Sequence, residues 1–405
     1  MARYTNYAPE FQVRINGAPV PAEMRACIGS VSYTDGMEGA DRVELSLANP
    51  SLRWLDHPLL QPGTDFSLSM GYAPDLLEEV FVGEITSIEP SFPSGGMPTM
   101  RVAAQDFLQQ LTRGTKDRAF EIGIPSIGNF PMPDPVVAAV VSATNGLIPR
   151  IDPIGGALSM LLALGSAFSF PQFSQQAVRT QQAETDFDFL TKIAKENGWA
   201  MFIDHTLEPK GYQLRFQFLM QDYSPSAALE WGASLIEFTP RFTTVGDLFG
   251  VSSRVWVESL GMEFVLVVGW DYEAASLKFS VYPGFGSLEA IIGDDEAKNT
   301  VAVKPTGYAT AAYAMMAELL PRLNNRLTGS GSTIGNPAIK ASRVIELKGL
   351  GAQFSGLWRI TSATHTFDGG GYRTAFEVRK EVWFGSIPLP KSLPLTVPRP
   401  GAFRG

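Results

Sequence analysis

Among its 405 residues the chain has one cysteine, Cys27, which excludes an intrachain disulfide and any cysteine-rich metal site. A lone thiol in such a chain is expected as a small buried apolar side chain. Histidine is nearly as scarce. His57, His205 and His365 are the only three, and none pairs with another at metal-ligand spacing. No HExxH, no GxSxG nucleophile turn and no GxxxxGK[ST] phosphate loop occurs, so catalytic, cofactor and metal sites are all expected to be absent. Charged residues make up only 18% and tilt acidic, to a formal net charge of −9. No cluster of Lys and Arg supplies the counterion release that direct nucleic-acid binding draws on, so sequence-specific binding is not expected. The opening MARYTNYAPEFQVRING has no basic stretch followed by an apolar run, the mark of a secretory leader.

What the chain has instead is apolar mass. Hydrophobic residues reach 45%, with 26 Phe, enough for thick cores or large buried interfaces. So little charge cannot dress the whole surface of a chain this long, which implies apolar surface covered by partners. The length calls for two or three domains. Residues 153–178 carry no charge and centre on IGGALSMLLALGSAFSF. Glycines and serines dilute the run and Pro153 and Pro171 flank it, so a buried or interface helix is favoured over a membrane span.

Residues 1–115 show strand periodicity. Phe11, Val13 and Ile15 share a face before Asn16-Gly17, a pair suited to a tight hairpin turn. RVELSLAN, DFSLSMGY, VFVGEITSIEP and TMRVAAQDF continue the pattern, which predicts a small antiparallel barrel or sandwich. Residues 116–232 read as an α/β insert. DPVVAAVVSATNGL is a helix with Asp134 as N-cap and Pro135 in its first turn. ETDFDFLTKIAKENGWAMFID is a second, with Phe187, Leu190, Ile193 and Ala194 at helical spacing, ended by Asn197-Gly198 and followed by strands. Glu184, Asp186 and Asp188 read as an acidic helix start, not a calcium loop. Asp204 and His205 are adjacent on a strand and so should point to opposite faces, which argues against an acid–base pair. Residues 233–385 return to strands, with SRVWVES and EFVLVVGWDY among them and a helix at about 308–326. In YRTAFEVRK, Tyr372, Phe376 and Val378 face one way and the charges the other. Residues 386–405 form a Pro-rich extended tail. SGG at 94–96 and DGGG at 368–371 read as turns.

In this order the segments resemble the baseplate hub proteins of contractile tails: the phage late-control D proteins and the hub part of VgrG-type proteins. The resemblance covers most of the chain. It rests on Asn16-Gly17, Gly83, Phe189 and Gly198, and most specifically on Gly335-Asn336-Pro337, Gly349, Phe354, Gly356, His365 and Gly371-Tyr372. It implies a mainly β fold with an α/β insert and two tail-tube-like β-barrels per chain. It also implies a homotrimer that joins a hexameric inner tube to a three-fold spike, since three chains offer six barrels. His365 is then a hydrogen-bonded strand residue and not a ligand. With no spike-like extension after the second barrel, a separate spike protein is expected to dock through the tail. The segment 153–173 is expected to pack on a neighbouring subunit or another baseplate protein, without membrane contact. Assembly would take place in the bacterial cytoplasm, and the product would sit in the baseplate of a phage virion or tail-like particle. Two other readings stand beside this one: a cell-wall-degrading baseplate component and a membrane-associated adaptor.

Overall fold

Strand β1 (Ala8–Ile15) turns into β2 (Ala18–Pro19) at Asn16-Gly17, where both residues take positive φ, 51° and 76°. The computed structural model describes residues 8–124, 128–152, 178–218, 223–243, 250–257, 261–271, 276–293, 297, 300–303, 308–381 and 384. The apolar segment 153–173 and the tail 386–405 lie outside the described residues.

After a short helix α1 (Ala22–Cys27) come β3 (Ile28–Gly36), β4 (Arg42–Ala48), β5 (Asp65–Ala73), β6 (Glu78–Ser91) and β7 (Thr99–Gln105). Their inward positions alternate, as Val43, Leu45 and Leu47 do on β4, and together with β1 they enclose one core. Cys27 packs against this core but is only half-buried, because it ends α1 at the core's rim.

The insert comprises β8 (Lys116–Ile124), β9 (Gly128–Pro131), α2 (Asp134–Thr144), β10 (Ile148–Ile151), β11 (Arg179–Glu184), α3 (Asp186–Asn197), β12 (Trp199–Ile203) and β13 (Gln213–Phe218). Strands β11-β8-β9 form one small sheet and β10-β13-β12 another. Helices α2 and α3 bury Val137, Val141, Leu190 and Ile193 in a second core, joined by Phe107, Leu108 and Leu111 from the 3-10 turn after β7. The cap of α2 falls one residue earlier than the sequence predicts: Pro133 is the N-cap, and Asp134 is the first helical residue. Asp134 is free of capping duty and instead accepts a bidentate pair of bonds from Arg179, at 2.8 Å each. On α3, Thr185 caps and accepts from the Asp188 amide, while Asp186 turns inward onto Lys116, Arg118, Asn145 and Gln181.

The remaining strands are β14 (Pro225–Glu230), β15 (Leu235–Phe242), β16 (Gly250–Val257), β17 (Met262–Asp271), β18 (Ser276–Pro283), β19 (Thr300–Ala302), β20 (Leu327–Ile334), β21 (Val344–Lys348), β22 (Gly356–Asp368) and β23 (Gly371–Arg379). Helices α4 (Leu288–Ile292), α5 (Tyr308–Asn324) and α6 (Gly351–Phe354) lie among them. Two boundaries differ from the sequence reading. Strand β14 pairs in parallel with β21, so the second barrel's sheet already begins at Pro225, inside the stretch read as insert. Strands β16 to β19 form a separate four-stranded sheet, order β18-β17-β16-β19, backed by Met315, Leu319 and Leu323 of α5. Alternation identifies a strand but carries no information about which sheet it joins.

The second barrel is the path β14-β21-β22-β23-β20-β15, around Leu229, Leu327, Ile345, Leu347, Trp358, Ile360 and Phe376. A bridge between Trp231 and Leu235 brings its two ends together. Strand β22 belongs to both barrels: residues 356–359 pair with β21, residues 362–367 pair with β3, and β23 runs along the other side. A bulge lies between Ile360 and Ser362. Before it the inward residues are Trp358 and Ile360; after it they are Ala363, His365 and Phe367. One extra residue shifts the inward positions from even to odd numbers, with Ala363 still in the second core and Phe367 in the first. Phe367 then meets Phe11 of β1 edge-on at 5.4 Å, so the first sheet curls until its far strand touches its near one.

Candidate functional site

The residues of the family-like pattern fall into several places. Asn16 and Gly17 form the first hairpin turn, and Gly83 lies on β6. Phe189 is buried on α3, stacked on Phe120 at 5.2 Å, and Gly198 is that helix's left-handed C-cap. Gly349, Phe354 and Gly356 surround α6, where the Phe354 carbonyl accepts from Trp358 Nε1 at 2.8 Å. Only Gly335, Asn336, Pro337, His365, Gly371 and Tyr372 gather in one region, at the seam where β22 and β23 leave the second barrel for the first.

At this seam His365 is wholly buried. Its Nε2 lies 2.9 Å from the Ile339 carbonyl, which can only accept, so Nε2 carries the proton. Nδ1 then accepts from the Tyr372 hydroxyl at 2.9 Å and lies 3.1 Å from Thr374 Oγ1. Tyr33 stacks on the ring's face at 5.6 Å. Burial holds the imidazole's pKa down to about 4, with the Lys340 charge acting in the same direction. A neutral, fully bonded ring is a strut, and it leaves no lone pair for a ligand. Next to it, a Cβ on Gly335 would stand 2.0 Å from Cγ of Tyr372, so only glycine fits. Asn336 Oδ1 accepts from the Ala338 amide, and the Asn336 amide donates to Thr374 Oγ1, both at 3.0 Å, which locks the turn that carries Pro337.

A second polar cluster was not legible in the sequence. Where the first barrel, the insert and the 340–343 loop of the second barrel meet, Tyr33, Asp35, Asp41, Asp106, His205 and Lys340 are all buried. The Asp41 amide donates to Asp106 Oδ2 at 3.0 Å, and Asp106 Oδ1 caps the 3-10 turn through Leu108 at 3.0 Å. Asp41 Oδ1 accepts from the Gly36 amide at 3.1 Å, and its Oδ2 accepts from the Tyr33 hydroxyl at 3.3 Å. Asp35 Oδ2 holds the Ala341 amide at 2.9 Å. His205 enters from the insert with Nε2 3.3 Å from Asp41 Oδ2 and 4.0 Å from Asp106 Oδ2, yet neither ring nitrogen makes an aligned hydrogen bond. Burial raises Asp35 and Asp41 well above the usual carboxylate range. Burial and the neighbouring Asp41 charge push Asp106 up to about 8, and burial pushes His205 down to about 4. Asp204 points elsewhere, to Thr206 and to Arg215 at 3.2 Å. The strand reading of this pair does not hold: β12 ends at Ile203, so Asp204 and His205 lie in the turn beyond it, and what faces His205 comes from the residues just before β4 and just after β7.

Arg359 and Glu381, both buried, bond at 2.7 Å beneath the second barrel. Among the described residues, no helix is long and apolar enough to cross a membrane.

Comparison with known proteins gives the fold a context. A family model described as the Alg8 N-terminal domain matches residues 171–368, just under half of the chain. No curated protein sequence matches. Among solved structures, the 43 kDa tail protein of prophage MuSo2 from Shewanella oneidensis superposes with a TM-score of 0.58 at 12% identity, covering 93% of this chain and 100% of that one. The tail protein from Neisseria meningitidis MC58 gives 0.58 at 12% identity, covering 96% and 100%. An Escherichia coli component of the type VI secretion system, described as structurally similar to T4 bacteriophage tail proteins gp27 and gp5, gives 0.54 at 11%, covering 96% and 81%. At such identities the likeness is one of fold: the chain has the mainly β fold of phage-tail and type VI secretion proteins, over nearly its whole length.

Proposed function

We propose that the chain is the structural hub of a baseplate, in a contractile phage tail or a related injection system, with no catalytic role. The observation that carries this reading is the pair of barrels sharing β22 and β23 within one sheet. A chain built this way presents two barrels in a fixed relation, and three copies about one axis present six. Such a ring matches a six-fold tube on one face and a three-fold spike on the other. Tail proteins of this fold from two bacteria support the setting. Exposed Trp256 on β16, Val281 on β18 and Phe285 beyond it are apolar surface of the kind that partners cover. On this reading the partners are two further copies, the inner tube protein, a separate spike protein bound through residues 386–405, and other baseplate proteins.

A tagged full chain, co-expressed with tube and spike proteins of the same genome, tests this. Retention of both supports the hub. Loss of both, or clearing of cell-wall material in a zymogram, goes against it.

A further inference from the structure

We propose that Asp41, Asp106 and His205 form a binding site for one divalent transition-metal ion of the zinc class, clamping the α/β insert to the first barrel. Each residue offers one ligand atom, and the three atoms lie within 4.8 Å of one another. Carboxylate clusters alone are common; His205 is what distinguishes this one. The residue is 4% exposed, and neither ring nitrogen is hydrogen-bonded, although Nε2 faces both carboxylates. A buried imidazole left without a partner is destabilising, and a metal bond supplies that partner.

The spacing suits the ion. Zinc bonds of about 2.0–2.2 Å at tetrahedral angles put ligand atoms roughly 3.3–3.6 Å apart. His205 Nε2 and Asp41 Oδ2 stand 3.3 Å apart, and the 4.0 Å to Asp106 needs only a small inward shift. Both carboxylates are already held in place: Gly36 bonds Asp41 Oδ1 and Leu108 bonds Asp106 Oδ1, while Tyr33 and the Asp41 amide each use one lone pair of the two Oδ2 atoms. Outer hydrogen bonds of this kind fix ligands in metal sites. Two carboxylates and a divalent ion sum to no net charge, which makes their shared burial tolerable. One nitrogen among so few ligands disfavours calcium and magnesium, which take six or more oxygens. A cavity of about 20 Å³ lined by Asp41, His205, Asp35 and Lys340 has room for one water as the fourth ligand. Lys340, a cation that lines the same cavity, is paired with Glu78 at 2.6 Å.

The test uses the full chain, stripped with a chelator and titrated with Zn²⁺. The expected result is one zinc per chain by elemental analysis and a melting temperature raised by roughly 5 °C, with no effect of equal Mg²⁺. His205→Ala should weaken zinc binding at least about 100-fold. Wild-type chain without stoichiometric zinc, or a folded His205→Ala chain that binds as tightly, would overturn the proposal. If the variant does not fold, Co²⁺ on the wild-type chain decides. Visible absorption bands of a nitrogen- and oxygen-ligated four-coordinate ion support the site, and their absence refutes it.

Discussion

Gly335 and Tyr372 are mutually fitted: the tyrosine ring fills the space where any side chain at residue 335 would begin. The Gly335 amide also donates to the Tyr372 carbonyl at 2.9 Å, and its own carbonyl accepts from the Tyr72 hydroxyl at 2.8 Å. Gly335→Ala should therefore destabilise the chain by about 2–4 kcal/mol in urea unfolding. Tyr372→Ala in the same chain should recover part of that loss, because the clash disappears. Strictly additive losses would show that the two positions are independent.

His365 bonds with three groups that have no solvent to turn to. His365→Phe keeps the ring's bulk but strands the Ile339 carbonyl and removes the acceptor of the Tyr372 hydroxyl, at a cost of about 2–4 kcal/mol, while Thr374 Oγ1 keeps its bond from the Asn336 amide. Normal stability of this variant would mean that the seam tolerates unpaired polar atoms.

The same ring gives a pH dependence. Its pKa is about 4 in the folded chain, against about 6.5 when exposed. As pH falls below about 6.5 the unfolded chain takes up this proton and the folded chain does not. His365 therefore subtracts no stability above about 6.5 and drains it at up to about 1.4 kcal/mol per pH unit toward pH 4. The difference in unfolding free energy between pH 7 and pH 5 should be smaller in His365→Asn than in the unaltered chain. An identical difference would contradict a buried neutral ring.

Much of this architecture was legible in the sequence. Tyr372, Phe376 and Val378 alternate on β23 as read, and the Asn16-Gly17 turn and the helix ended by Gly198 sit at their places. What escaped was pairing between distant segments. The strands at 250–283 announce themselves by period, but nothing in that period says they leave the barrel for a sheet of their own. The bulge at Ile360–Ser362 is one residue in a run that reads as a single strand. Asp41 and Asp106 lie in unrelated segments that only the sheet order brings beside His205, so no motif could join them.

Asp186 tests how the insert is held. It is 1% exposed, and bonds from Lys116, Asn145, Gln181 and Arg118 outweigh its burial to hold its pKa below the ordinary value. Asp186→Ala removes the acceptor shared by Lys116, Arg118, Asn145 and Gln181, with an expected loss of about 1–3 kcal/mol. Hydrogen exchange should show β8 and β11 opening first; uniform loss of protection across the chain would count against a local anchor.

Because β22 serves both barrels, the two should unfold as one unit. Trp358→Ala, a cavity in the second core, should cost about 3–5 kcal/mol and lower amide protection in β3 of the first barrel by a comparable amount. Unchanged protection in β3 would mean that the barrels are energetically separate.

The hub reading stands on three chains making six barrels, and mass in solution examines it most directly. Light scattering on the purified full chain should give three copies of the 44.0 kDa chain, about 132 kDa, with three-fold particles showing six barrels around a channel by electron microscopy. A chain that stays monomeric at tens of micromolar, alone and with its tube and spike partners, would contradict it.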